Sequence, residues 1–200
     1  MVIKATQQDI TNAFAPLELD PVHKGPSTTI NAAHPLLLTS TIDPGTYFGV
    51  MGLRGIELME GSGQKGFFEV RCIRGNPGDI SIGLATHHEE LRDRRIGNGY
   101  EGIGWRSRSL LMNDRLSGIN SFGGRFHQLS PEFKTGDVLG LMMDCTRAPT
   151  LLLFVNSTNV LKIVLTPQVR GRVVFPVFTL KGDSEIEISP NPDLPAYAGV

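Results

Sequence analysis

Apolar residues in this chain fall in short runs closed by turn formers, and several runs alternate as strands do. The clearest is Gly66-Phe67-Phe68-Glu69-Val70-Arg71-Cys72-Ile73. Phe68, Val70 and Cys72 point one way there, while Phe67, Glu69, Arg71 and Ile73 point the other. A Gly75-Asn76-Pro77-Gly78-Asp79 turn leads into a second strand, Ile80 to Ala85. Further strands are predicted over Val138 to Asp144, Thr150 to Val155, Val160 to Leu165, Val173 to Leu180 and Glu185 to Ser189. Shorter apolar runs stand at Leu36-Leu37-Leu38 and Tyr47-Phe48-Gly49-Val50, and Arg54 to Lys65 reads as a loop. A strand spacing of roughly 8–12 residues with Gly, Pro, Asn or Asp between is that of an antiparallel sandwich or barrel. Helix signals are confined to the N-terminus, where Thr6 and Asp9 can open a short helix through Ile10 and Phe14. Pro16, Pro21 and Pro26 then stop any long element. Residues 1–26 therefore read as a partly helical or irregular N-terminal extension, 27–189 as one β-sandwich and 190–200 as a Pro-rich tail.

Composition narrows the class. The chain has 200 residues and 21.8 kDa, enough for one domain with a substantial core. Glycine (23) and proline (13) exceed their usual joint share by about half, which leaves little room for long helices. The formal net charge is −1, and that balance argues against a general nucleic-acid or membrane-surface binder. No apolar stretch approaches the roughly 18 residues of a membrane span, and no apolar core of a signal peptide follows Met1. With only Cys72 and Cys145 there is no disulfide framework, so a reducing, cytoplasmic setting is expected.

Candidate chemistry is sparse. Gly97-Asn98-Gly99-Tyr100-Glu101-Gly102 has the spacing of a dinucleotide loop. It follows the charged run Glu89 to Arg95 rather than a strand, and no helix start follows it, so no cofactor is assigned. His87-His88 with Glu89-Glu90 offers metal-ligand atoms, but adjacent extended residues point apart and no further ligand is spaced to join them. No metal site is read. There is no G-x-S-x-G elbow, and neither cysteine adjoins a histidine. Glu185-Ile186-Glu187-Ile188 puts two acids on one strand face, as a glycosidase would need and as any half-solvated strand shows. No catalytic residue is assigned. Arginine is the remaining feature. Thirteen of the 19 basic residues are Arg, and Arg92, Arg94, Arg95, Arg106, Arg108 and Arg115 fall close together. Arg suits bidentate contacts and stacking, although nearby acids make an ordinary solvated pair of loops an equal reading.

The ordered strand blocks resemble a SPRY domain. Gly66 to Val70 followed by Ile80 to Thr86 is similar to that family's opening strands. Gly99-Tyr100 and Gly102 to Trp105 stand where the family shows an aromatic, glycine-rich stretch. Phe133 to Asp144, Leu151 to Asn156, Phe175 to Leu180 and Glu185 to Ile188 follow in family order, so the likeness covers roughly residues 47 to 188. Ser157 replaces the family's turn glycine after Asn156, which leaves the turn type open. Ala33 to Leu38 and Leu19-Asp20-Pro21 echo the PRY subdomain but are separated by an insertion, and no PRY subdomain is read.

The resemblance implies an all-β fold: a bent sandwich of two antiparallel sheets, of the concanavalin-like jelly-roll type, with little helix. Gly83 and Gly140 lie inside strands, which predicts bulges or close packing, and Phe68, Phe154, Phe175 and Val177 are core candidates. It further implies a non-catalytic, cytoplasmic adaptor or scaffold module. Such a module binds a protein or peptide ligand through loops at one end. The loops expected to form that surface are Arg54–Lys65, Arg74–Asp79, His87–Tyr100, Arg106–Asp114 and Lys181–Ser184. Arg94, Arg95, Tyr100, Trp105, Arg106, Arg108 and Lys181 are the candidate partner contacts. A carbohydrate-binding jelly roll, or RNA or phosphoprotein binding through the Arg-rich loops, are the alternatives.

Overall fold

The computed structural model describes residues 12–22, 24–25, 28–40, 48–86, 102–106, 109–112, 125–128, 133–165, 170–189 and 192–195. Among these the regular secondary structure is strand, apart from one short 3₁₀ turn. In chain order the strands are β1 (Thr28–Ile30), β2 (Leu37–Ser40), β3 (Phe48–Met51), β4 (Ile56–Glu57), β5 (Lys65–Arg74), β6 (Ile80–Ala85) and β7 (Gly102–Arg106). They continue as β8 (Ser109–Met112), β9 (Arg125–Gln128), β10 (Val138–Asp144), β11 (Thr150–Val155), β12 (Thr158–Val164), β13 (Val173–Leu180) and β14 (Ser184–Ile188). One sheet runs β1-β2-β14-β5-β10-β11-β12, the other β3-β13-β6-β7-β8-β9, with β4 also on β13. Every strand pairing among the described residues is antiparallel.

The strands legible in the alternation lie where expected: β6, β10, β11 and β13 have the expected limits, and β5, β12 and β14 differ by one or two residues at an end. Those not foreseen carry little local signal. β4 is two residues inside the stretch read as loop, and β7 dilutes Ile103 and Trp105 with two glycines.

The two sheets enclose one core. Phe68, Val70 and Cys72 of β5 face it, as their alternation indicates, together with Leu139 and Leu141 of β10. Val50, Ile82, Leu84, Phe178 and Leu180 come from the opposite sheet. Phe68 and Phe178 meet across the gap edge to face, with centroids 5.2 Å apart. Three of the four core candidates lie elsewhere. Phe154 joins Phe67, Met142 and Leu152 in a separate cluster, and Val177 joins Met51, Ala85 and half-buried Phe175 in another. The cause is strand parity: Phe154 and Val177 are offset by one from Leu153 and Phe178, so they occupy the outer faces.

The expectation of close packing at the strand glycines holds. A Cβ on Gly83 would lie 1.8 Å from the Ile103 carbonyl oxygen, and one on Gly140 2.9 Å from the Phe67 ring.

Residues 12–20 are built into the sandwich rather than appended to it. The Asn12 amide copies a strand: its Oδ1 accepts from Phe67 N at 2.9 Å, and its Nδ2 donates to Phe67 O at 2.8 Å. Phe14 then enters the core beside Phe68, with ring centroids 6.1 Å apart. Gly66 makes this possible, since a Cβ there would come within 2.6 Å of the Phe14 ring. Leu17 and Leu19 are buried in the same core. Beyond them the chain covers the β3 edge, through Leu53 N to Glu18 O, Asp20 N to Met51 O and Gly25 N to Gly49 O, each 2.8 Å. The helix expected toward Phe14 is replaced at residues 12–14 by a bridge and turn, and residues 1–11 lie outside the described ones. At the other end, buried Pro192 and half-buried Leu194 of the Pro-rich tail lie against the same unit.

The turn left open by Ser157 is a two-residue hairpin. Asn156 (φ 49°) and Ser157 (φ 64°) both take the left-handed conformation, as a type I′ turn requires.

Two outcomes follow. Phe14→Ala is expected to lower unfolding free energy by about 3–5 kcal/mol in denaturant titration, whereas an appended segment would give almost no change. Ser157→Gly is expected to raise stability by about 1 kcal/mol, because glycine occupies the left-handed region without a Cβ clash.

Candidate functional site

Antiparallel register sorts the connections between the two ends of the sandwich. Leu180 pairs with Ile80, and Trp105 with Ile82, so residues 74–79, Arg106 and 181–184 gather at one end. The 133–137 turn joins them, since β10 begins opposite Arg71. Arg54–Lys65 is at the far end, beside Arg147 and Arg172. The described parts of the expected surface are thus divided, and only Arg74–Asp79, Arg106 and Lys181–Ser184 share one rim. All of His87–Tyr100, and residues 107–108 and 113–114 of Arg106–Asp114, lie outside the described residues, including Arg94, Arg95, Tyr100 and Arg108.

The rim is built on a short 3₁₀ turn, Pro77–Asp79. Asn76 caps it, with Oδ1 accepting from Gly78 N at 2.8 Å, and Pro77 supplies a backbone angle already suited to a turn. Arg106 Nε donates to the Gly78 carbonyl, which ties β7 to this turn. Lys181 N donates to Asp79 O at 2.9 Å, and its Nζ stands 4.0 Å from Asp79 Oδ1. Arg74, half exposed, spans Asp183 at 2.9 Å and Glu185 at 3.5 Å. Thr135 Oγ1 donates to Gly75 O at 3.2 Å, so the 133–137 turn is tied in as well. Ion pairs this exposed add little stability, about 0–1 kcal/mol each, yet they hold charged ends of both signs in fixed places.

Of the sequence candidates, the structure brings Arg106 and Lys181 to this rim. Trp105 is different. It is fully buried, with its ring edge to face on Phe133 at a centroid distance of 5.7 Å. The reason is register: Trp105 is cross-strand from inward-facing Ile82, so the family-like aromatic supports the rim from beneath and is not a surface contact. Arg74 and Asp183 were not among the candidates, because lone charges in turns carry no periodic signal. Only the β5–β14 pairing brings them together.

The thiols have no nucleophilic setting. Burial pushes Cys72 up from its ordinary 9.0 to about 12, with the Asp137 charge adding to it. Burial likewise raises Cys145 to about 11, against a lowering hydrogen bond to the Met59 backbone and with a further rise from Asp144. Among the described residues no His, Cys, Asp and Glu are grouped to hold a metal ion. No helix among them is long and apolar enough to cross a membrane.

A raised thiol value means that the folded state favours the protonated form. That contribution is complete below pH 9 and is lost as pH rises toward the folded values. Native protein at pH 8 is accordingly expected to leave both cysteines unreacted with a disulfide reagent, and denatured protein to react at both. Stability in buffers above pH 9 is expected to fall, and Cys72→Ala to flatten that decline.

A scan against protein-family models finds no match, and a search of curated proteins likewise finds none. Solved structures do match. A human SPRY domain has a TM-score of 0.62 at 16% identity, covering 84% of this chain and 98% of its own. The SPRY domain of human HERC1 gives 0.63 at 15%, covering 88% and 99%. The TRIM65 PSpry domain gives 0.61 at 14%, covering 86% and 91%. Two antiparallel sheets joined in this order over most of both chains give this protein the fold of a SPRY domain.

Proposed function

We propose that this chain is a non-catalytic protein-interaction module. It binds a peptide or partner domain at the end of the sandwich formed by Arg74–Asp79, Arg106 and Lys181–Ser184. The observation that carries the reading is the convergence of these connections. Hydrogen bonds from Arg106 to Gly78 and from Lys181 to Asp79 fix them relative to one another. Rigid elements presenting loops of mixed charge suit recognition of polar and charged groups, because the surface needs little ordering when it binds. The fold shared with solved SPRY domains supports the same class of function.

In this reading Arg106, Lys181, Arg74 and Asp183 are contacts, and Arg108, between the paired Arg106 and Ser109, extends the surface; Arg94, Arg95 and Tyr100 belong to the connection between Ala85 and Gly102, which opens at the opposite end of the sheet. Arginine supplies paired hydrogen bonds to carboxylate or amide groups of the partner. The partner is a protein, and the module serves as an adaptor or scaffold element. Two free, buried cysteines fit a reducing, cytoplasmic setting.

The test is affinity capture with the wild type beside an Arg74→Ala/Arg106→Ala/Arg108→Ala variant and a Lys181→Glu variant. Both variants are expected to remain folded and to lose the specific partners held by the wild type. An unchanged partner set, with the fold intact, would place the binding surface elsewhere.

A further inference from the structure

The outer face of the β5–β10–β11 region is unusually apolar for a sheet face turned away from the core. Phe67, Met142, Leu152 and Phe154 form a cluster there, set apart from the inter-sheet core. Outward positions of a sandwich are ordinarily polar. Cross-strand pairing aligns Phe67, Met142 and Leu152 in one row, and Glu69, Gly140 and Phe154 in the next. Gly140 lets the Phe67 ring lie over the backbone of β10 and meet Phe154 edge to face, at a centroid distance of 5.9 Å. The result is a smooth apolar shelf.

The chain's own Pro192-Asp193-Leu194-Pro195 segment occupies it. Half-buried Leu194 rests against the cluster. Pro192 is buried, and its carbonyl accepts from Asn12 Nδ2 at 3.3 Å. Asp193 points to solvent close enough to Glu69 for their charges to oppose one another.

We propose that this shelf is a second peptide-docking surface. It takes an extended segment presenting a leucine next to proline, and the chain's own Pro192–Pro195 is its built-in competitor. The seated tail defines the chemistry of the occupant: prolines hold the segment extended at low entropic cost, and the leucine supplies the apolar anchor. Among the described residues the tail is held by buried Pro192, half-buried Leu194 and one hydrogen bond beyond the usual distance, and two neighbouring carboxylates work against that hold. Glu69 records that opposition, being pushed above its ordinary value by burial and then by the Asp193 charge. A released tail would leave a contiguous apolar patch exposed, so whatever displaces it must cover the shelf with similar chemistry. The shelf is distinct from the charged rim, and the inference does not depend on it.

The test uses the full chain and a fluorescent peptide of the sequence of residues 189–198. The Leu194→Ala chain only trims a half-buried side chain, and it is expected to bind the peptide at least about tenfold tighter than wild type, because the competing tail acts at high local concentration. Leu194→Asp is expected to give the same ordering. A control peptide with aspartate in place of its leucine is expected to bind neither chain. Binding to the Leu194→Ala chain is expected to survive the arginine substitutions of the rim. Equal, weak binding of both peptides to a folded Leu194→Ala chain would overturn the proposal, as would wild-type binding as tight as that of the variant.

Discussion

Phe68 is the point on which the two sheets and the N-terminal segment all depend. Its ring touches Phe178 of the opposite sheet on one side and Phe14 on the other. Both contacts require β5 to be central in its sheet and its inward row to be unobstructed. Gly66 satisfies the second condition, leaving room for the Phe14 ring where any Cβ would collide. The Asn12 amide then completes the backbone ladder of β5 at Phe67, beyond the reach of β14, whose pairing ends at Val70. A segment with no strand of its own thereby supplies both core and hydrogen bonds.

This arrangement also determines which parts of the molecule stay open to solvent. The N-terminal segment covers the β3 edge, so that edge does not offer unpaired backbone groups to another chain. At the far end, Asn12, Lys65 and the 144–145 turn are joined by short backbone bonds. The opposite rim is held differently. Its side chains bind carbonyls and one another across separate turns, leaving charged groups of Arg74 and Asp183 at the surface. Fixed but solvated polar groups are what a binding surface requires, and buried apolar contacts are what a scaffold requires. The sandwich separates the two.

How much of this was legible in the sequence follows from where the forces act. Alternation in β5 and continuous apolar runs in β10, β11 and β13 reflect burial directly, so those strands could be read from residue order alone. β7 could not, because its two glycines remove the side chains that would show a period, although the family likeness singled out the same stretch. Parity separates inner Phe68 from outer Phe154, and a list of large apolar residues does not contain it. The N-terminal segment was read as an extension because its three prolines break local structure. Its attachment rests on Asn12 and Phe14 meeting residues more than fifty positions away. For the candidate site, Arg106 and Lys181 were legible as basic residues beside turns. Arg74 and Asp183 come together only through strand pairing, and the same pairing sends Trp105 inward.

The central claim is that residues 12–20 and the two sheets form one cooperative body on which the rim is mounted. Native-state hydrogen exchange at the Phe67 and Asp20 amides tests it most directly. Phe67 donates to Asn12, and Asp20 donates to Met51, so each amide is protected only while the N-terminal segment is seated. Exchange of both with the free energy of global unfolding, in step with the amides of β10, is the expected result. Fast exchange at these two positions while β10 stays protected would contradict the account, because the segment would then open independently of the sandwich.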